Sequence, residues 1–207
     1  DFQPGSSREN ISQALIKVKH PNLRWRTTTP MNPSRTIFLI DGSSYIYRGF
    51  HALPMLSNSK GLPTNAILGF TQILIRLIKE KKPDYLAMFF DSKGPSFRQD
   101  IFPEYKANRP PMPDELSVQI PWVKQITEGF KIKIYEKPGF EADDLMGTAA
   151  VEAERQGFNV ILVSGDKDFM QLVTDSIMIF DPVKEVMIGR NEVKEKTGVF
   201  PEKIIDV

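Results

Sequence analysis

The sequence predicts an α/β fold with a mostly parallel central sheet and helices on both faces. Apolar segments of strand length begin near residues 36, 85, 131, 159 and 177, and segments with helical periodicity lie between them. In such a sheet the carboxyl ends of the parallel strands meet at one edge, where ligands bind. Acidic residues directly follow several of these strands, so we expect the chemistry of the chain at that edge.

The elements of the first half follow from local patterns. TIFLI indicates a buried strand, and SSYIYRGFHA indicates a short helix that Ser43 or Ser44 would cap. A longer helix begins near Asn65, with Thr64 as its expected cap, and continues at helical spacing to a lysine-rich end. The strand YLAMFF follows. An irregular basic segment then extends over about 92–113, and a helix kinked at Pro121 comes after it.

The second half alternates in the same way. KIKIY indicates a strand, ADDLMGTAAVEAERQG a helix that ends at Gly157, NVILVSGD a strand and KDFMQLV a short helix. SIMIFD and KEVMIG are expected to form a hairpin or an edge pair. NEVKEKTG predicts a further helix, and FPEKIIDV begins another. We therefore expect one catalytic domain over 35–207, preceded by a poorly ordered basic lead-in over 1–34.

Composition excludes several classes of protein. The 207 residues are 41% hydrophobic, which is enough for one real core. The chain has no cysteine and two histidines, which excludes disulfides and thiolate metal sites and makes a histidine-rich zinc site improbable. The apolar segments are too short to span a bilayer, and no secretory signal is recognisable, so we expect a cytoplasmic protein without membrane contact.

A set of acids at the ends of hydrophobic segments is the main functional signal. Carboxylates crowded at one sheet edge repel one another, so a fold keeps them where a positive group fills the site, and hard divalent cations prefer such oxygen ligands. Each acid alone could cap a helix or belong to a turn. The candidate metal ligands are Asp41, Asp91, Glu141, Asp143, Asp144, Asp166 and Asp168.

A second signal is the segment FRQDIFPEYKANRPPMP, which interleaves cations with aromatic side chains. Cations that hold phosphates beside rings that stack on bases are the ingredients of a single-strand binding element. An ordinary solvated loop remains the alternative. The candidate nucleic-acid contacts outside this segment are Lys93 in DSKG, and Tyr45 and Arg48 on one face of the first helix; packing remains the alternative for Tyr45.

Five motifs, taken in order, resemble one known family. LIDGSSYIYRGFHA, GLPTNAILGF, FFDSKGPSFRQDIFPEYKANRPPMPDEL, GFEADDLMGT and VSGDKDFMQLV resemble the 5′-nuclease domain attached to bacterial DNA polymerase I, within the flap endonuclease superfamily. The resemblance extends from about residue 36 to the C-terminus. It implies a PIN-like fold and divalent-metal hydrolysis of DNA or RNA near a free 5′ end, as in primer removal and DNA repair.

The resemblance also implies roles for residues. The seven acids would hold two Mg²⁺ or Mn²⁺ ions, roughly 4 Å apart, across the scissile phosphate. Arg98, Lys106 and Arg109 would be catalytic cations in an arch over about 92–113, and Tyr105 would pack on a base. The implied partners are DNA with a 5′ flap or 5′ end, or an RNA/DNA hybrid, and a fused or separate polymerase. In the family, a segment like PEKIIDV leads to two further metal-binding aspartates and a helix-hairpin-helix-like element, whereas this sequence stops at Val207.

Two other hypotheses remain open at this point. Without the further aspartates, the chain could bind nucleic acid or a partner without cutting it. A phosphatase of the haloacid dehalogenase type is suggested by LIDGSS and VSGDKD, but those enzymes need a second Asp where Ser43 stands.

Overall fold

The computed structural model describes Ile16–Lys17 and residues 35–206. The elements, in chain order, are β1 Ile16–Lys17, β2 Thr36–Asp41, α1 Gly42–Ala52, α2 Asn65–Lys81, β3 Tyr85–Phe89, α3 Phe97–Ile101, α4 Asp114–Ser117, α5 Ile120–Gly129, β4 Lys133–Tyr135, α6 Ala142–Arg155, β5 Asn159–Val163, β6 Ile177–Asp181, β7 Val186–Ile188 and α7 Arg190–Thr197. Two 3₁₀ helices span Lys167–Leu172 and Pro201–Asp206.

The chain divides into two compact units. Of the described residues after position 34, the first unit holds 35–39, 83–87 and 146–206, and the second unit holds 40–82 and 88–145. The strands β2 and β3 each begin in the first unit and end in the second. The predicted lead-in over 1–34 lies outside the described residues, apart from β1, which pairs antiparallel with β3.

The sheet has the strand order β1-β3-β2-β5-β6-β7, with β4 also pairing with β3. It is the mostly parallel α/β sheet that the sequence predicted. In the first unit, β5 and β6 are parallel, and β6 returns antiparallel into β7, which confirms the predicted hairpin. Every residue of β5 and of β6 is buried, as expected for strands covered on both faces.

In the second unit, α1 and α2 pack against each other through glycines. A Cβ on Gly49 would lie 2.5 Å from the backbone nitrogen of Phe70, and one on Gly69 would lie 2.5 Å from the carbonyl oxygen of Gly49. Only residues without a side chain allow this approach of the two backbones. The tight contact fixes α1, the helix that begins directly after Asp41.

The structure differs from the predictions or refines them at three points. The side chain of Thr64 makes no capping hydrogen bond to α2. The helix around Pro121 is not kinked but broken: α4 ends at Ser117, and α5 begins at Ile120 with the proline in its first turn, where a missing N–H is tolerated. KDFMQL forms a 3₁₀ helix, capped by Asp166.

Within the described part of the chain, no helix is both long enough and apolar enough to cross a membrane.

Candidate metal centre and nucleic-acid interface

Asp41 ends β2 and caps α1. Its carboxylate accepts hydrogen bonds from the backbone N–H of Ser44 at 2.9 Å and from the Ser44 hydroxyl at 2.5 Å. The residue is 9% exposed. Asp41 therefore caps α1, which was the alternative to metal binding for this residue. Ser44, one of the two predicted caps, instead donates the hydrogen bonds that Asp41 accepts.

Asp91, which follows β3, connects two other elements of the second unit. Its backbone N–H donates to the hydroxyl of Ser43 at 3.0 Å, and its Oδ1 accepts the backbone N–H of Ala142 at 2.8 Å. One aspartate thus joins the first turn of α1 to the first turn of α6. Because the N–H groups of a first helical turn lack partners within the helix, the Asp91 carboxylate satisfies one of them.

The start of α6 gathers three more of the predicted acids. The backbone N–H of Glu141 donates to Asp144 at 3.1 Å, and the N–H of Asp144 donates to Asp143 at 2.8 Å. Glu141 and Asp144 both lie close to the guanidinium of Arg98. Five predicted acids, in three separate stretches of sequence, are therefore brought to one region of the second unit: Asp41, Asp91, Glu141, Asp143 and Asp144.

Arg98, on α3, binds this acidic turn directly. Its two terminal nitrogens each donate to a different oxygen of Asp144 at 2.7 Å, and Nη1 lies 3.6 Å from Glu141. Such a two-pronged pair matches the planar guanidinium to the planar carboxylate. The guanidinium also lies 4.9 Å from the ring centroid of Phe97.

Lys106 and Tyr105 bind Glu141. The ammonium of Lys106 lies 2.8 Å from Oε1 and from Oε2, and the Tyr105 hydroxyl donates to Oε2 at 3.1 Å. The Lys106 ammonium also lies 5.0 Å from the centroid of the Tyr105 ring. Lys106 has a φ of 57°, which is uncommon for a residue other than glycine.

These contacts change the acidity of the groups. Burial would raise the pKa of Asp144, but hydrogen bonds from Arg98 and from the Glu141 N–H outweigh it, so that pKa lies below its ordinary value. Burial and the neighbouring Asp144 charge raise the pKa of Asp143. For Lys106, burial alone would lower the pKa, but hydrogen bonding with Glu141 and Tyr105 raises it. Asp144 therefore ionises at a lower pH than usual, whereas its neighbour Asp143 ionises at a higher pH than usual.

A cavity of about 240 Å³ opens beside these pairs within the second unit. Its walls include both signs of charge and an aromatic ring. Lining residues are Asp91, Ser92, Tyr105, Lys106, Arg109 and Glu141. Arg109 is exposed, so its guanidinium can meet a ligand at the mouth of this cavity.

Asp166 and Asp168 belong to the first unit, at the turn after β5. Asp166 accepts the backbone N–H of Asp168 at 2.9 Å and so caps the 3₁₀ helix. Both residues are exposed. They remain predicted metal ligands.

The structure corrects the expectation for Tyr45. This residue is 1% exposed, and its ring packs edge-on against Phe70, with centroids 6.4 Å apart, so it belongs to the core and offers no face to a base. Arg48 is half-buried, with its guanidinium 5.7 Å from the Tyr45 ring centroid. Lys93 is exposed in the turn after Asp91. Arg48 and Lys93 remain predicted nucleic-acid contacts.

Among the described residues, no group of three or more His, Asp and Glu side chains is arranged so that it could hold a metal ion. The donors nevertheless fit a hard divalent cation in kind, because all of them are carboxylates. Two of them, Glu141 and Asp144, have their oxygens bound by Lys106 and Arg98. The residues are of the right chemistry, and internal cations bind two of them.

Sequence reasoning missed several members of the site. The hydroxyl of Ser43 accepts a hydrogen bond from the Asp91 N–H, a contact that the sequence does not predict because the two residues are 48 positions apart. Ser92, Ser96 and Gln99 line the cavity. Their position in the basic segment directly after Asp91 was the available signal.

The fold and this arrangement define a PIN-like α/β domain, with acids where its strands end and a basic, aromatic segment folded onto them. The model of the family described as 5′-3′ exonuclease, N-terminal resolvase-like domain, matches residues 36–198. The chain therefore belongs to this family, which confirms the resemblance given by its motifs.

Known proteins agree with this assignment. A 5′-3′ exonuclease of Aquifex aeolicus (strain VF5) is 44% identical over 172 residues, covering 83% of this chain and 60% of that protein. A DNA polymerase I of Caldicellulosiruptor bescii is 40% identical over 176 residues, covering 82% of this chain and 21% of the polymerase. The chain thus spans less than two thirds of either relative.

Among solved structures, the flap endonuclease of bacteriophage T5, in a pseudo-enzyme-product complex with DNA and metal ions, matches with a TM-score of 0.63. It is 25% identical, and the match covers 83% of this chain and 64% of that one. The likeness supports the fold described above.

Proposed function

We propose that this chain carries the catalytic domain of a structure-specific 5′-3′ exonuclease and flap endonuclease that hydrolyses DNA near a 5′ end. Membership of the 5′-3′ exonuclease family supports this proposal, as does the likeness to an exonuclease and to a flap endonuclease solved with DNA and metal ions. The match to DNA polymerase I supports a role in primer removal and repair with a fused or separate polymerase. RNA/DNA hybrids are a further candidate substrate, and the cytoplasm, at the nucleoid, is the proposed location.

One observation carries the proposal. Arg98, Tyr105 and Lys106 come together on the acidic first turn of α6, beside Asp91 and a cavity with room for a phosphate. Anionic oxygens for a metal and cations for a phosphate are thus present in one place.

Each group has a role in this proposal. Arg109 and Lys106 neutralise the phosphate that is attacked, where negative charge grows during hydrolysis. The Tyr105 ring, which is half-exposed beside them, offers a surface for stacking against a base. The backbone N–H of Ala142 fixes the direction of the Asp91 carboxylate before substrate arrives. Ser43 fixes the Asp91 main chain in the same way.

Two divalent ions, Mg²⁺ or Mn²⁺, would be held by the acids named above, with Asp166 and Asp168 among them. When bound, such ions activate a water and neutralise the leaving oxygen in phosphodiester hydrolysis. The protein supplies only carboxylates for this purpose, which suits hard cations.

The ion pairs favour a second candidate function. With Glu141 and Asp144 neutralised by Lys106 and Arg98, the chain could hold a nucleic acid without cutting it. Cleavage and binding must therefore be measured separately.

The test uses the 207-residue chain and a 5′-flap DNA that is labelled at its 5′ end. We expect products with Mn²⁺ or Mg²⁺ and none with EDTA. Asp91→Asn should slow cleavage by roughly a hundredfold or more, since it removes a predicted ligand. Glu80→Gln, which alters an exposed ion pair with Arg76 on α2, is the matched control and should leave the rate unchanged. A gel shift without products at any metal concentration would favour the binding function, and wild-type cleavage by Asp91→Asn would remove Asp91 from the site.

A further inference from the structure

We propose that Arg98 and Lys106 form an ion-pair lock that determines how tightly the site binds divalent metal. The lock consists of the pairs Arg98–Asp144 and Lys106–Glu141. Both basic side chains were expected to contact phosphate, yet both are bound to carboxylates. The inference rests on the proposed function, because it assumes that Glu141 and Asp144 contribute to a metal site.

The geometry makes the lock specific. Arg98 binds both oxygens of Asp144, and Lys106 binds both oxygens of Glu141, each at 2.7 or 2.8 Å. A divalent cation needs those same oxygens. The two kinds of cation therefore compete directly for the pair of carboxylates, and metal binds only as the basic side chains leave.

Partial burial gives the lock its strength. The side chains of Glu141 and Asp144 are 13% and 19% exposed, and those of Arg98 and Lys106 are 31% and 29% exposed. Ion pairs shielded to this extent are stronger than fully exposed ones, because water screens them less. They are also not sealed, so the arginine and the lysine can move out into solvent when a metal displaces them.

Release of the lock would have a second effect. The two side chains that a metal would displace belong to the segment that contributes Lys106 and Arg109 to the cavity wall, and each carries a positive charge. They become available to a phosphate only after metal has replaced them. Metal therefore binds first, and only then can the two basic side chains bind the nucleic-acid backbone.

The lock makes a prediction that runs opposite to that of an ordinary binding residue. Removing Arg98 should improve metal binding, because Asp144 then loses its internal counter-ion and both of its oxygens become available to the metal. Arg98→Gln in the 207-residue chain should bind Mn²⁺ roughly threefold to tenfold more tightly than the wild type, as measured by titration calorimetry. Lys106→Gln is the second variant and should change the affinity in the same direction.

The matched control is Arg76→Gln, which also replaces an arginine that is paired with a carboxylate, but on α2. Its Mn²⁺ affinity should equal that of the wild type. Circular dichroism melts identify any variant that fails to fold, and the other variant then carries the test.

Hydrogen exchange supplies an independent readout. Backbone N–H groups of 99–109 donate hydrogen bonds within this segment, among them Phe102 to Arg98 and Arg109 to Lys106. Saturating Mn²⁺ should increase amide exchange over 97–109 by several fold in the wild type, while exchange in α2 stays unchanged. In Arg98→Gln, exchange should already be fast without metal.

Two results would overturn the lock: unchanged or weaker Mn²⁺ binding by both variants, or a wild type that binds Mn²⁺ without any change in exchange over 97–109. If either occurs while the wild type still cleaves flap DNA with metal, the lock alone fails and the proposed function stands. If the wild type neither binds Mn²⁺ nor cleaves, but Arg98→Gln binds the ion, the lock is supported and the proposed activity of this chain fails.

Discussion

The hydroxyl of Ser43 accepts a hydrogen bond of 3.0 Å from the backbone N–H of Asp91. This bond joins residues 48 positions apart in sequence and holds the turn after β3 against the first turn of α1. A metal-ligating carboxylate has to be held in place by contacts of this kind, which orient it before the metal binds.

Ser43→Ala should therefore damage the site more than the fold. We expect a loss of about 1 kcal/mol in the free energy of unfolding and a roughly tenfold fall in kcat for flap cleavage, with KM little changed. Thermal melts and steady-state kinetics measure the two effects. Ser43→Thr keeps the hydroxyl and should restore most of the rate; equal loss in both variants would count against the hydrogen bond as the cause.

Gly69→Ala should destabilise the second unit strongly. The added methyl group would meet the backbone of Gly49 at 2.5–2.9 Å, and backbone cannot move aside as a flexible side chain can. We expect a loss of about 2–3 kcal/mol in denaturant unfolding. Gly129→Ala is the control, since nothing lies within 4 Å of the added Cβ and φ is not positive there. Similar midpoints for the two variants would contradict the close approach of the helices.

Stability should depend on pH through Asp144. Its folded-state pKa lies below the ordinary value of 3.8, so its carboxylate stabilises the fold above that pH, and the contribution disappears as the pH falls through the folded-state value. Asp144→Asn should cost about 1–3 kcal/mol near pH 7, and the difference from wild type should shrink on acidification to about pH 3. Thermal melts across this range measure it.

For Asp143 we expect the opposite dependence of stability on pH. Burial and the Asp144 charge raise the Asp143 pKa, so its contribution favours folding at low pH and is lost as the pH rises through the folded-state value. Near pH 7 Asp143→Asn should be as stable as the wild type or slightly more so. A difference between Asp144→Asn and wild type that is the same at every pH would refute this account of the pair.

Two substitutions of Tyr105 separate the role of its hydroxyl from that of its ring. Tyr105→Phe keeps the ring and loses the hydroxyl with its hydrogen bonds to Glu141, at 3.1 Å, and to Lys106, so its affinity for single-stranded DNA should stay within about twofold of wild type. Tyr105→Ala also loses the stacking surface, and its affinity should fall roughly fivefold or more. Fluorescence anisotropy with a labelled oligonucleotide tests this, and equal affinities for the two variants would exclude stacking.

Local patterns predicted the elements well, because they depend on neighbours in sequence. The helix expected from Asn65 to the lysines is α2, Asn65–Lys81, and its apolar spacing was sufficient to place it. The break before Pro121 was read as a kink, since the pattern of apolar residues continues across it. A proline in the first turn of a new helix and a proline inside an old one look alike in sequence.

The sequence indicated candidate residues for the site but not the pairs that they form. Acids after strands indicated Asp41 and Asp91, and topology brought them near the start of α6. Arg98 and Asp144 are 46 residues apart. The residues next to an arginine in sequence do not distinguish one that binds a carboxylate of the same chain from one that binds phosphate. The burial of Tyr45 had the same cause, because the helical face that it occupies is covered by α2, a later part of the chain.

The chain passes between the two compact units within β2, before Pro83, within β3 and within α6. Neither unit is an uninterrupted stretch of polypeptide, so no single proteolytic cut or gene truncation can liberate one of them whole. Recombination that exchanged a contiguous block with a relative would replace fragments of both at once. Because segments of the two units alternate along the chain, the acids and the strands that carry them have to be inherited together.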